Sequence, residues 1–259
     1  MKYHIDTIPV WDAVKLDGEC PLCALRRKLE LGEVERYLGA SVMEPDTRML
    51  VNEKGFCTRH HAMLFAASNR LGHALMLHSH TLETERRMDK PLKSLTKAAD
   101  DFTAASALQR LSGKGAAARK ALNAAADELD AMSHSCVLCD SLTADMDRYV
   151  ATFFHLYEHD AEFRDRIAAS KGFCLPDTAL LLRRCADFLP AKLVAPFARA
   201  MDELTRSNMK RMEGDIEWFT LKFDYRNQDA PWKTSKDAVE RTCNKLRGWC
   251  VGTEPNPKK

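Results

Sequence analysis

Glycine and proline are scarce in this chain, eleven and ten in 259 residues. That is too little for a turn-rich β-sandwich, a collagen-like repeat or a Pro/Gly linker protein. Long apolar runs are missing too: none approaches the roughly 18 residues that a membrane-spanning helix needs. The opening stretch, Met1 to Val14, carries Asp6 and Asp12 and no apolar core, so no secretory signal is expected. Nor does one sign of charge dominate. Thirty-nine Lys and Arg face 37 Asp and Glu, a formal net charge of +2, which offers nucleic acid no electrostatic reason to bind. Arg26-Arg27-Lys28 and Arg86-Arg87 read as solvated helix faces. With no convincing period-2 alternation, the expected class is all-α, in a cytoplasmic protein without a membrane segment.

Cysteine is the residue the chain does not lack. Four of its nine cysteines form two CxxC pairs, Cys20–Cys23 and Cys136–Cys139. Each pair is followed by a Lys-Gly-Phe-Cys string, ending at Cys57 and at Cys174, and three residues later by His60 and by Asp177. The spacings are C-x2-C-x33-C-x2-H and C-x2-C-x34-C-x2-D, with matched positions 116 or 117 residues apart. Four matched chemical positions at a fixed offset indicate a tandem duplication.

Two cysteines separated by two residues place both sulfurs on one side of a turn, and a second half-site of the same kind closes a tetrahedron. Sulfur-rich tetrahedral sites select zinc or iron–sulfur over magnesium or calcium. The expectation is therefore one site per repeat. Cys20, Cys23, Cys57 and His60 would form the first, and Cys136, Cys139, Cys174 and Asp177 the second, each opening helices whose N-termini favour thiolate. Asp177 is the harder ligand, and it makes the second site the one expected to be labile or open to chemistry. Disulfides and a thioredoxin-like redox pair fit less well, since no βαβ unit surrounds either CxxC.

Apolar periodicity predicts helices over about 22–38, from Pro45 to Gly55, over 58–69 and 72–88 with a boundary at Pro91, over 195–223 and over 236–247. Ser112-Gly113-Lys114-Gly115 reads as a breaker. The organisation predicted is a first metal-binding repeat over 1–91, a helical connector over 92–131, a second repeat with a C-terminal helix over 132–251 and a disordered tail over 252–259.

Taken together, GECPLC at 18–23, NEKGFC at 52–57 with His60, the second CxxC and GFC, and DIEWFTLKFDYRN at 215–227 resemble a bacterial family known only as a domain of unknown function, associated mainly with anaerobes. The resemblance covers nearly the whole chain. It implies a cysteine-rich helical protein with two metal sites and implies no activity. A histidine would be expected where this chain has Asp177.

Other groups of residues carry weaker signals. His155-x-x-Glu158-His159 matches an inverted zinc-peptidase string but lacks the scaffold and third ligand, so a helical surface pair is expected. His78 and His80 point apart on a helix, and His61 is an alternative ligand to His60. Trp218, Lys222, Asp224, Tyr225, Arg226, Asn227 and Trp232 are a candidate cofactor pocket, read against simple packing of a helix end. Cys185, Cys243 and Cys250 are expected as small buried residues, the last two sharing a helix face.

Three functions remain: a binding or scaffold module with two structural zincs; a zinc-thiolate enzyme for thiol alkyl transfer or hydrolysis, with Asp177 as exchangeable ligand or base; and an iron–sulfur redox or sensor protein. The residues leave open whether the chain is an enzyme. Six thiolates and two divalent ions take the formal charge from +2 to zero. Such a protein has little colloidal protection, so a protein partner or a homodimer is expected.

Overall fold

Prolines mark several helix starts in this chain. Pro21 and Pro45 sit at the first helical position, where a missing N–H costs nothing and φ is already set. The computed structural model describes residues 4–104 and 113–252. Among them are eleven α-helices, two short 3-10 turns (Ala40–Met43 and Tyr225–Asn227) and no strand. The helices are α1 (His4–Lys15), α2 (Pro21–Leu38), α3 (Pro45–Lys54), α4 (Thr58–Ala66), α5 (Arg70–Ala104) and α6 (Gly113–Ser133). They continue with α7 (Val137–His159), α8 (Ala161–Ala168), α9 (Leu175–Phe188), α10 (Ala191–Leu221) and α11 (Ala238–Arg247). The chain is all-α, and α2, α3, α10 and α11 lie within a few residues of where periodicity puts them.

Pro91 does not end a helix. It lies inside α5, which runs unbroken through it. Interior proline removes one backbone hydrogen bond and crowds the preceding turn. Here α6 packs along α5 and Pro91 is buried, so tertiary packing holds a helix that local preference would stop. Gly113 opens α6 rather than breaking a helix. Ser112 and the tail over 253–259 lie outside the described residues.

The chain divides into two compact units. One comprises Met1–Leu29 and Thr143–Lys259, the other Glu30–Leu142. Each division falls inside a helix, within α2 and within α7. In the discontinuous unit the core is aromatic. The buried Phe153 ring meets Phe154, Phe163, Phe173 and Phe197 edge-on, with centroids 5.5, 5.4, 5.8 and 6.5 Å away. In the 30–142 unit α3 and α6 lie along α5. Its core gathers Val34, Tyr37, Val51, Phe56, Leu64, Met76 and Leu138.

Candidate metal centres

The Gly-Phe-Cys string divides its work residue by residue, and does so twice. Gly55 and Gly172 take φ of +61° and +72°, a region that L side chains rarely enter. Phe56 and Phe173 are buried anchors, Phe56 edge-on to Tyr37 at 5.7 Å and Phe173 to Phe153. Cys57 and Cys174 are then the N-cap residues of α4 and α9. Each CxxC likewise sits at a helix start. Cys20 immediately precedes α2 and Cys136 precedes α7, with Cys23 and Cys139 in their first turns. All four half-sites therefore put sulfur beside free N–H groups and the positive end of a helix dipole.

The half-sites combine in a way the spacing does not suggest. The four-residue sets expected within each repeat do not form. The donor atoms of Cys20 and Cys23 converge with those of Cys174 and Asp177, and those of Cys57 and His60 with those of Cys136 and Cys139. Each set lies within 4.8 Å, and among the described residues no other group of three or more His, Cys, Asp or Glu side chains converges in this way. Both sets are complete inside one unit, the Asp177 centre in the discontinuous unit and the His60 centre in the 30–142 unit. The eight proposed ligands are the eight brought together; their pairing is crossed. A second consequence is that Cys136, Cys139, Cys174 and Asp177 do not form the expected reactive site.

At the Asp177 centre, Cys174 Sγ lies 3.7 Å from both Cys20 Sγ and Cys23 Sγ. Asp177 Oδ2 lies 3.1, 3.4 and 3.2 Å from Cys20, Cys23 and Cys174. The other carboxylate oxygen, Oδ1, accepts a 2.8 Å bond from Arg26 Nη2. Arg26, expected as part of a solvated face, thus orients the ligand from one turn along α2. The Trp249 N–H points at Cys23 Sγ, 3.4 Å away. Lys245, buried in α11, donates to the carbonyls of Glu19 (2.8 Å) and Lys171, the backbone just ahead of each half-site. Burial pushes the Lys245 ammonium below its usual range. Hydrogen bonds from Cys174 and Cys20 hold the Cys23 thiol far down, while burial pushes Cys20 up. All four ligands are buried, although a cavity of about 380 Å³ lies beside Cys20 and Cys23, lined also by Asp17, Glu19, Arg241 and Trp249.

At the His60 centre, Nδ1 faces sulfur: Cys57 at 3.3 Å, Cys136 at 3.2 Å and Cys139 at 3.5 Å. Cys57 and Cys139 sulfurs are 3.7 Å apart. The far nitrogen, Nε2, lies 3.3 Å from Glu30 Oε1, and Arg59 grips Glu30 through two bonds of 2.6 and 2.7 Å. A carboxylate behind an imidazole fixes ring orientation and raises its basicity, the usual support of a metal-bound histidine. Burial alone would lower the His60 pKa, but the Cys136 and Glu30 contacts outweigh it and raise it to about 10. Burial likewise pushes the Cys136 thiol up, and His60 overrides that to leave it at about 6. The backbone ties the half-sites too, through Val137 N–H to Gly55 O (3.1 Å) and Ser135 Oγ to Lys54 O (2.7 Å). His60 and Cys136 are buried, Cys57 half-buried and Cys139 exposed.

The remaining candidates fall elsewhere. In the Trp218–Trp232 segment, Lys222 Nζ donates to the carbonyls of Asn227, Gln228 and Ala230, and Trp218 Nε1 to Pro231 O at 3.0 Å. Arg226 grips Asp224, and Asn227 donates to Leu221 O. These polar groups tie the loop to itself, and Tyr225 is exposed. The ring nitrogen of His159 bonds the His155 carbonyl at 2.9 Å. His61 Nδ1 meets His73 Nε2 at 3.2 Å, away from the His60 cluster, and His80 bonds Asn52 O. Cys185 is buried as expected, but Cys250 is exposed and lies beyond the end of α11, so it shares no helix face with Cys243.

Arg26, Glu30, Arg59 and Lys245 are the supporting residues that the motifs did not flag. Only Arg26, three residues after Cys23 on one helix face, carried a readable signal. No curated protein and no solved structure matches the chain. The model of DUF6062, a family of unknown function, matches residues 1–253, and the chain belongs to that family.

Proposed function

We propose that the chain is a zinc-binding helical module whose two ions are structural and hold its helices in place for binding or scaffolding. The observation that carries this reading is that each centre closes four donors around one point and draws them from two helix starts far apart in sequence. Sulfurs about 2.3 Å from a tetrahedral ion stand about 3.8 Å from one another, and the S···S separations here are 3.7 Å. A multi-iron cluster spreads its ligands over separate irons. Four donors within 4.8 Å favour a single ion instead. Three thiolates with an imidazole, or with a carboxylate held by Arg26, are donors suited to zinc. Nine free thiols suit a reducing compartment, and we place the protein in the cytoplasm. With both ions bound its net charge nears zero, which favours a protein partner or a homodimer; no helix among the described residues is long and apolar enough to cross a membrane.

Metal analysis and an absorbance spectrum of anaerobically purified protein test this. Two zincs per chain, no colour and loss of helical signal on chelation are expected. Iron with sulfide and a broad band near roughly 400 nm would overturn it.

The cavity beside Cys20 and Cys23 favours one second reading, a zinc-thiolate enzyme at the Asp177 centre. Its volume, about 380 Å³, lies in the range of small-molecule sites. Arg26 would steady Asp177 as ligand, and the ion would activate a thiol or water. Cobalt-substituted protein should then change its visible spectrum when small thiols are added. An unchanged spectrum leaves only the structural role.

A further inference from the structure

All four side chains of the Asp177 centre are buried, beside a cavity; those of the His60 centre are not all buried. Cys139 is exposed and Cys57 half-buried, and their sulfurs stand 3.7 Å apart. Oxidation of cysteine follows thiolate character and access; ion-bound cysteines are thiolates in both centres, so access decides between them. We propose that the Cys57–His60–Cys136–Cys139 centre is a site of oxidative modification, where a peroxide joins Cys139 to Cys57 and releases the ion, while the Asp177 centre keeps its own. The inference rests on the zinc reading given above.

The chemistry balances with hydrogen peroxide as the named oxidant. The Cys139 sulfur attacks one peroxide oxygen, the O–O bond breaks, and hydroxide leaves and takes up a proton. The resulting sulfenic acid is attacked by the Cys57 sulfur, forming S–S and breaking S–O, and a second hydroxide leaves as water. Two thiolates have lost two electrons and one peroxide has become two waters. The ion has lost two of its four ligands. The two sulfurs must close by about 1.7 Å to reach disulfide length, a movement open to them once the ion leaves. Cys136 is buried where Cys57 is half-buried, and is the less accessible partner for Cys139. At the Asp177 centre Cys20, Cys23 and Cys174 are only 5%, 8% and 0% exposed, despite the neighbouring cavity.

The test uses the zinc-loaded full chain carrying Cys250→Ala, which removes an exposed thiol outside both centres. One equivalent of hydrogen peroxide is added, released zinc is read with a chromogenic indicator, and disulfides are mapped by mass spectrometry of unreduced digests. Expected are one zinc released per chain, a Cys57–Cys139 disulfide, and Cys20, Cys23 and Cys174 still reduced and at least tenfold slower to react. Dithiothreitol with zinc should restore the starting state. Oxidation of Cys20 or Cys23 first, a disulfide through Cys136, or two zincs retained would overturn this inference alone. A chain holding no zinc before peroxide is added overturns the zinc reading as well.

Discussion

The two centres share six thiolates' worth of chemistry and differ in how they meet charge and solvent. In one, an imidazole closes the set, and its outer partner is the Glu30–Arg59 pair, close to neutral in sum. In the other a carboxylate closes it and adds a negative charge, and Arg26 lies against that carboxylate. Three residues after each CxxC the repeats hold Arg26 and a buried Leu142. The extra ligand charge thus appears with an extra cation in the chain. Asp177, the harder donor for a sulfur-bound ion, is buried and held by Arg26, and Lys245 bonds the Glu19 carbonyl beside Cys20; in the histidine centre Cys139 is exposed.

Variants can break the crossed pairing itself, with the largest effect. Cys20→Ser and Cys174→Ser should each lower bound zinc from two to one per chain and lose the same ion, so the double variant should lose no more. Cys20→Ser with Cys57→Ser should lose both ions. If Cys20→Ser and Cys57→Ser instead acted on one ion, the crossed pairing would be wrong. Structural zinc is worth on the order of 10 kcal/mol of apparent binding in small domains, so each single variant should also lower the unfolding midpoint sharply in thermal melts.

The outer partners come next. Arg26→Met leaves one oxygen of a buried carboxylate without its partner. The arginine side chain is 41% exposed, so the cost is discounted for solvent to about 1–3 kcal/mol. Chelator competition should then show zinc held about tenfold more weakly at the Asp177 centre and unchanged at the other. Glu30→Gln should weaken the His60 centre by a similar factor and spare the Asp177 centre. If both ions respond to either change, the centres are not independent.

The smallest contrast concerns the two glycines. Alanine at either position meets a positive φ and costs about 1 kcal/mol from the backbone. A Cβ on Gly55 would also sit 2.4 Å from His80 Nε2, whereas one on Gly172 would lie 3.3 Å from Leu204. Gly55→Ala should therefore destabilise more in denaturant titration, and His80→Ala should recover part of that excess. Equal costs at both glycines would show that the histidine simply moves aside.

Much of this was legible. The eight residues that converge, the helical class and most helix positions follow from spacing and periodicity. The pairing did not follow, because a duplicated motif looks the same whether its halves close locally or on each other's partners. Helix length held the one available hint. At 1.5 Å per residue the 18 residues of α2 carry the chain about 27 Å from its CxxC, and the 10 of α3 recover about 15 Å. For α7 and α8, with 23 and 8 residues, the figures are about 34 and 12 Å. Pro91 misled for a different reason: a local breaking signal was overridden by the long packing seam between α5 and α6. Lys245, in a helix 226 residues from the Glu19 carbonyl it holds, had no local signal at all.

What the sequence by itself determined is the chemistry. Two CxxC pairs, two Gly-Phe-Cys strings and their third ligands specify soft-metal donors at helix starts, since spacing within a turn fixes which atoms can share an ion. Which half-site meets which was decided only by tertiary structure. Closing Cys23 on Cys174, 151 residues away, rather than on Cys57, costs only about 1 kcal/mol more in chain entropy, because that cost grows with the logarithm of loop length. So small a difference is readily outweighed by the packing of Phe173 against Phe153 and of Phe56 against Tyr37, and by the buried charges that only the folded chain brings beside each centre.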